Sequence, residues 1–277
     1  MKKILLTNDD GVYHEGILTL AKALCGSYEV MICSPDRERS ATGHAMTLTR
    51  PLHLRKADAR FFPENVAAYC CDGMPTDSVV LGVEALHFVP DVLISGINYG
   101  PNLSDDITYS GTVCAALEGL VYGFASMAVS LDVTYHEHGC DVHYDTAAAV
   151  AVSILNWIKN DPMPEGVMYN VNVPNVSLCD IAGVRMTRFG YKRYVDKVMK
   201  VKSQFGGDVY WLGGNVETRD EEGTDVWAAA NNYVSITPVS LDMTNYGALS
   251  SYSKRCTDDI FAMIKEHKGN MYVGGTR

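Results

Sequence analysis

The 277-residue chain is short of positive charge, of tryptophan and of long apolar runs. Lys and Arg number 23 against 33 Asp and Glu, a formal net charge of −10. A protein that holds duplex nucleic acid by its phosphates presents a basic surface, so that function is not expected. A small anionic ligand stays open, because local cations override the global field. The longest apolar stretch, 147–158, contains Ser153 and Asn156 and is too short to span a bilayer. Lys2 and Lys3 precede only a few apolar residues, too few for a signal-peptide core. A soluble, cytoplasmic protein with no membrane partner is therefore expected. Several catalytic signatures are also missing. There is no GxxxxGK[ST], which argues against a P-loop NTPase. No GxGxxG follows the first strand, against a dinucleotide-binding enzyme, and neither GxSxG nor HExxH occurs. The eight cysteines form no CxxC and most sit in apolar segments, so they read as reduced, buried, small hydrophobes.

What is present is a hydrophobic content of 47%, enough for a sizeable core, arranged as alternating strand and helix patterns. Strands are predicted at Ile4–Leu6, Glu29–Cys33, Val66–Cys70, Asp91–Ser95, Met127–Leu131 and Met168–Val173, and an extended segment at Met46–Leu54. Helices are predicted at Glu15–Leu24, from a cap at Thr76 through Leu86, at Ser110–Tyr122 and at Asp145–Lys159. This alternation implies an α/β fold with a doubly wound, mostly parallel sheet. From about residue 183 the pattern changes to aromatic and β-branched residues broken by Gly206-Gly207, Gly213-Gly214 and RDEEGTD. That reads as antiparallel hairpins. The expected organisation is one domain, with a core over 1–182, a hairpin-rich extension over 183–240 and a C-terminal helical segment over 241–277.

The loops at the strand ends carry the chemistry. The first strand stops abruptly at Asn8-Asp9-Asp10-Gly11. Two adjacent carboxylates repel unless a cation sits between them. The second strand leads to Arg37-Glu38-Arg39-Ser40 and then Gly43-His44; DVLIS leads to Gly96-Ile97-Asn98 and on to Asn102. In a parallel sheet these loops share one edge. Asp9, Asp10, Ser40 and Asn98 together make an oxygen-only set, suited to Mg²⁺ or Mn²⁺, with Ca²⁺ as a further possibility. The stretch Ser110-Gly111-Thr112 opens an apolar-periodic helix, whose free N–H groups and positive dipole end suit an anion. Ser110 is equally a plain helix cap, and Asp9-Asp10 a plain turn. His44 could bind phosphate or protonate a leaving oxygen. His136, His138 and His143 form no metal-ligand spacing.

The stretches ILLTNDDG (4–11), SPDRERSATGH (34–44), SGINYGPNLSDDITYSGTVCAALEG (95–119) and YVSITPVSLDMT (233–244) closely resemble the stationary-phase survival protein SurE family of nucleotidases. The resemblance implies a divalent-metal-dependent phosphomonoesterase acting on nucleoside 5′- or 3′-monophosphates. It implies a Rossmann-like fold with a C-terminal hairpin region used in dimers and tetramers. The family's metal ligands fall on Asp9, Asp10, Ser40 and Asn98, and its phosphate-contacting segment on Ser110, Gly111 and Thr112, with Asn102 as a further substrate contact. Two positions depart from the family pattern. Ala41 follows the metal-binding serine where glycine is common, and Ser104 replaces another common glycine, while Asp106 is kept. The expected reaction is in-line hydrolysis by a metal-activated water, with Asp9, Asp10 and His44 as catalytic candidates. Two other readings stay open: direct attack on phosphorus by Asp9, and a non-catalytic oligomer that senses nucleotide or metal.

Overall fold

The computed structural model describes residues 2–133, 141–195 and 198–271. His136, His138 and Cys140 lie outside them. The chain divides into two compact units, Met1–Leu241 and Asp242–Arg277.

The first unit is built on a nine-stranded sheet. Its strands are β1 (Lys3–Thr7), β2 (Glu29–Pro35), β3 (Leu54–Lys56), β4 (Ala67–Cys71), β5 (Val92–Tyr99), β6 (Ala125–Asp132), β7 (Val167–Pro174), β8 (Gly183–Met186) and β13 (Tyr233–Ser240). The order is β3-β4-β2-β1-β5-β6-β7-β13-β8. Pairing is parallel except at β3/β4 and β7/β13. β1 is central: Ile4 lies in register with Val30 of β2 and Val92 of β5. Its alternate residues feed two cores, as the period of two demands. Ile4 and Leu6 pack with Ile17, Leu20 and Leu24 of α1 (Glu15–Leu24) and with α4 (Tyr144–Ile158). Leu5 packs with Val79 of α2 (Pro75–Val80) and Val113 of α3 (Gly111–Val121). Both faces of the sheet are therefore covered by helices, the doubly wound arrangement predicted from the alternation.

Chain order reverses beside β1. The path runs outward through β2 and β4 on one side, then returns to β5, β6 and β7 on the other. The crevice at the carboxyl ends of β1 and β5 is the topological switch point, where open α/β sheets bind ligands.

Several local expectations are corrected. The helix after β4 starts at Pro75 and its cap is Met74, not Thr76; Asp77 accepts a hydrogen bond from the Met74 N–H at 2.8 Å, and Pro75 takes the first helical position. The extended segment expected over 46–54 joins the sheet only at its last residue, Leu54, where β3 begins. Region 183–240 is not hairpins alone. β8 and β13 pair in parallel and join the main sheet, while β9 (Lys192–Val195) pairs with β12 (Asn215–Thr218) and β10 (Val198–Lys202) with β11 (Asp208–Leu212) as antiparallel ribbons. The acidic RDEEGTD stretch leads into α5 (Asp225–Ala230), capped by the Thr224 hydroxyl. Among the described residues, the cysteines are free, as expected, but Cys179 and Cys256 are exposed rather than buried. The second unit holds one helix, α6 (Tyr246–Met271). Among the described residues no helix is long and apolar enough to cross a membrane.

Candidate active site

The turn after β1 is closed by its own asparagine. Asn8 Nδ2 donates to the Gly11 carbonyl at 3.0 Å, and the Gly11 N–H donates to Asn8 Oδ1 at 3.2 Å. Ser34 of β2 donates its hydroxyl to the same Asn8 Oδ1, which ties the turn to the neighbouring strand. This Asx-type clamp presents Asp9 and Asp10 on a fixed backbone.

Each carboxylate is then anchored by a different element. Asp9, only 4% exposed, accepts a hydrogen bond on Oδ1 from the Thr112 hydroxyl of α3. Its carbonyl accepts from the Arg39 N–H at 2.7 Å, which docks the Ser40 loop. Asp10 Oδ2 accepts from the Tyr99 N–H at 3.2 Å and lies 3.6 Å from Nδ1 of His14. Burial, and after it the charge of Asp10, pushes the Asp9 carboxyl up to about 6 despite the opposing Thr112 bond. Burial also pushes Asp10 up to about 6, against the stabilising Tyr99 N–H. Two carboxylates held this way are uncomfortable as anions, and a bound cation relieves both.

Asp9, Ser40, Asn98, Asn102 and Ser110 line one cavity of about 830 Å³; Asp10 stands beside it, bonded to Tyr99 of the same lining. A register shift between Gly96 and Asn98, where β5 meets β6, re-aims the end of β5 toward this opening. Asn98 Nδ2 donates to the Gly100 carbonyl at 2.8 Å, so its amide oxygen is the remaining acceptor. The Ser40 hydroxyl donates to Glu38 at 2.8 Å, and Arg39 anchors the same loop on the Asp72 carbonyl at 2.9 Å.

The proposed phosphate segment divides its roles. Ser110 lines the cavity and caps α3, accepting from the Val113 N–H at 3.1 Å. Gly111 lets the helix start against Asp9, since a Cβ there would stand 2.9 Å from both Cβ and Oδ2 of Asp9. Thr112 is fully buried with its hydroxyl on Asp9, so it positions the carboxylate. His44 is not among the residues that line the cavity; its Nε2 is 2.9 Å from Glu118, and the neighbouring Gly43 N–H donates to the carbonyl of cavity-lining Tyr109 at 2.9 Å.

Three functional neighbours carried no usable sequence signal. His14 caps α1 and faces Asp10; burial lowers its affinity for a proton, against the raising effect of Glu15, Asp9 and Glu38. Asn170 and Asn172 of β7 both donate their side-chain amides to the Asn102 carbonyl, at 2.9 and 3.0 Å, and Asn172 Oδ1 accepts from the Asn102 N–H at 2.8 Å. Asn102 Nδ2 in turn donates to Ser130 of β6 at 2.7 Å. Two polar residues alternating within the apolar YNVNVP run are the one hint that β7 supports a loop at the site.

The cavity is electronegative. Among the described residues its lining holds Asp9, Asp106 and Asp132 against one cation, Lys192, which is itself paired with Asp106.

The model of the family described as "Survival protein SurE" matches residues 4–196. The chain belongs to this family. It is 44% identical over 253 residues to a protein of Proteus mirabilis named 5′/3′-nucleotidase SurE, covering 90% of this chain and 94% of that one. A protein of Aquifex aeolicus named 5′-nucleotidase SurE is 40% identical over 254 residues, covering 91% and 97%. The crystal structure of the Sure protein from Aquifex aeolicus superposes with a TM-score of 0.76 at 40% identity, covering 90% of this chain and 97% of that one.

The two departures from the family pattern have a backbone meaning. Ala41 (φ 55°) and Ser104 (φ 54°) both occupy the left-handed region that glycine enters without a Cβ penalty. Ser104 is compensated, because its hydroxyl donates to the Gly190 carbonyl at 2.7 Å. Ala41 has no such side-chain bond available to it. Ala41→Gly is therefore expected to raise stability by about 1 kcal/mol, while Ser104→Gly changes it little, since the relief is offset by roughly 1 kcal/mol of lost hydrogen bond. Urea unfolding midpoints check the pair; equal shifts in both variants would refute the assignment of strain.

Proposed function

We propose that this cavity hydrolyses phosphomonoesters of nucleosides, releasing phosphate from 5′- or 3′-monophosphates, and that it requires one divalent cation, Mg²⁺ or Mn²⁺. The observation that carries the reading is the buried Asp9–Asp10 pair at the switch point, opening on a cavity with more carboxylates than cations. A phosphate dianion is repelled from such a cavity unless a metal ion reverses its sign. The names of the relatives give the substrate class.

The residues fit the cation. Among the described residues no three His, Cys, Asp or Glu side chains cluster as a metal site. The donor set would thus be Asp9, Asp10 and the neutral oxygens of Ser40 and Asn98, completed by water, which suits a hard ion that keeps part of its hydration shell. When bound, the cation supplies Lewis acidity to the phosphoryl oxygens and lowers the pKa of the attacking water. The chain supplies the rest. The α3 N-terminus at Ser110 and Gly111 and the clamped Asn102 orient the phosphoryl group. Thr112 and Tyr99 hold the two carboxylates in place. Asp10 is the acceptor for the water's proton. The leaving oxygen takes its proton from solvent or from His44, whose Nε2 is paired with Glu118. We further propose that the protein works in the cytoplasm as a dimer or tetramer. The exposed Met199, Trp211 and Leu212 on the β10–β11 ribbon support the assembly.

The test is phosphate release from a panel of nucleoside 5′- and 3′-monophosphates. Turnover is expected with Mg²⁺ or Mn²⁺, loss with chelator and recovery on adding the metal back. Nucleotide binding without phosphate release under any metal would favour the non-catalytic sensor.

A further inference from the structure

We infer that one face of the β9–β12 ribbon is the nucleoside-binding wall of this cavity, with the Tyr194 ring as its stacking platform. The inference rests on the nucleotidase reading above and names what recognises the part of the substrate that does not react.

The argument starts from register. In the antiparallel pair, Val216 lies opposite Tyr194 and Thr218 opposite Lys192. Directly opposed residues point to the same side of a ribbon, and residues two apart along a strand do too. Lys192, Tyr194, Val216 and Thr218 therefore share one face, and all four line the cavity that holds Asp9, Ser40 and Asn98. Arg193 and Glu217 lie on the other face, where Arg193 pairs with Asp105 at 3.0 Å. The ribbon thus turns an aromatic ring, a branched aliphatic chain, a hydroxyl and the Asp106-paired Lys192 toward the site, and Arg193 and Glu217 away.

The size of the cavity leads to the same assignment. About 830 Å³ is far more than a phosphoryl group needs and falls in the range of pockets that enclose a whole small organic ligand. Its wall is also pre-formed. The Tyr194 hydroxyl points at Asp106 Oδ2, 3.5 Å away, and Lys192 bonds to the same carboxylate with its Nζ 5.4 Å from the Tyr194 ring centroid. Lys192, 12% exposed, is neutralised by Asp106, so among the described residues that line this end of the cavity there is no unpaired cation for a second phosphate. Tyr194 keeps 38% of its surface exposed, which leaves a ring face open to a flat, uncharged partner. A nucleobase is such a partner.

The experiment compares adenosine 5′-monophosphate with ribose 5-phosphate, which lacks the base, in wild type, Tyr194→Ala and Tyr194→Phe. Stacking worth about 1–3 kcal/mol per base corresponds to a KM increase of roughly fivefold to a hundredfold for the nucleotide in Tyr194→Ala. Its kcat/KM on ribose 5-phosphate is expected to stay at the wild-type value, and Tyr194→Phe to retain nucleotide KM. Equal losses on both substrates, no loss on the nucleotide, or a Phe variant as impaired as the Ala variant would each overturn the inference. Wild-type protein that cleaves ribose 5-phosphate but no nucleotide would instead overturn the nucleotidase reading, and the wall with it.

Discussion

Asp9→Asn is expected to abolish phosphate release while making the metal-free protein more stable. The loss follows from the donor set. With one of two carboxylates gone, the several kcal/mol that a bound cation contributes to the transition state is forfeited, about three orders of magnitude in kcat at 1.36 kcal/mol per tenfold. The gain in stability follows from the same burial. A carboxyl whose pKa is about 6 in the folded protein, against 3.8 as the reference value, is disfavoured as an anion at neutral pH. A shift of that size is worth about 2–3 kcal/mol, or several degrees in midpoint for a chain of this length. Asparagine keeps the carbonyl that accepts from Thr112 and drops the charge. Steady-state kinetics beside thermal unfolding in chelator reads both quantities. Near-normal turnover in Asp9→Asn would remove the metal site from the proposal. A lower melting temperature would show that the carboxylate pair is not strained.

The opposed directions of those effects explain which parts of the site were legible from sequence. Asp9 and Asp10 stand out because a turn at a strand tip accounts for one acidic side chain but gives little structural use for two adjacent anions. β1 falls within a residue of its predicted ends because the short unbroken apolar run Ile4–Leu6 defines strand and direction locally. But β5, predicted over Asp91–Ser95, runs over Val92–Tyr99, so Gly96, Ile97 and Asn98 belong to the strand end rather than to the loop after it. Parallel pairing still brings the two ends together. Ser110 was visible as both cap and anion site, and it fills the first role while lining the cavity. The partners of these residues were not visible. Thr112 bonds to Asp9 across 103 positions, and Asn172 supports Asn102 across 70, and no periodicity encodes such pairings. Nothing in the sequence pairs His44 with Glu118 across 74 positions either. Region 183–240 was harder still. Its turn glycines announced hairpins, but nothing local says that β8 and β13 return to the main sheet while β9 and β12 stay out to wall the cavity.

The pH dependence of stability should differ in shape between the metal-free and metal-loaded protein. For Asp9 and Asp10 the folded pKa lies above the reference value, near 6 against 3.8. The folded state therefore binds protons more tightly, and the stability these groups contribute is fully present below pH 3.8 and lost as pH rises through 6. Above that window their effect is constant. A divalent cation competes with those same protons, so its affinity rises across the window and then levels. The midpoint increase caused by Mg²⁺ or Mn²⁺ is thus expected to be small at pH 5 and large at pH 7.5. The stabilisation behind it should approach about 2.7 kcal/mol when the ion is present at 100 times its dissociation constant. Activity should climb through the same interval, since the anionic pair that destabilises the empty protein is the form that holds the ion. Melting curves at a series of pH values, with chelator and with metal, check the coupling. A metal-induced shift of the same size at pH 5 and pH 7.5 would mean that the cation binds somewhere other than these two carboxylates.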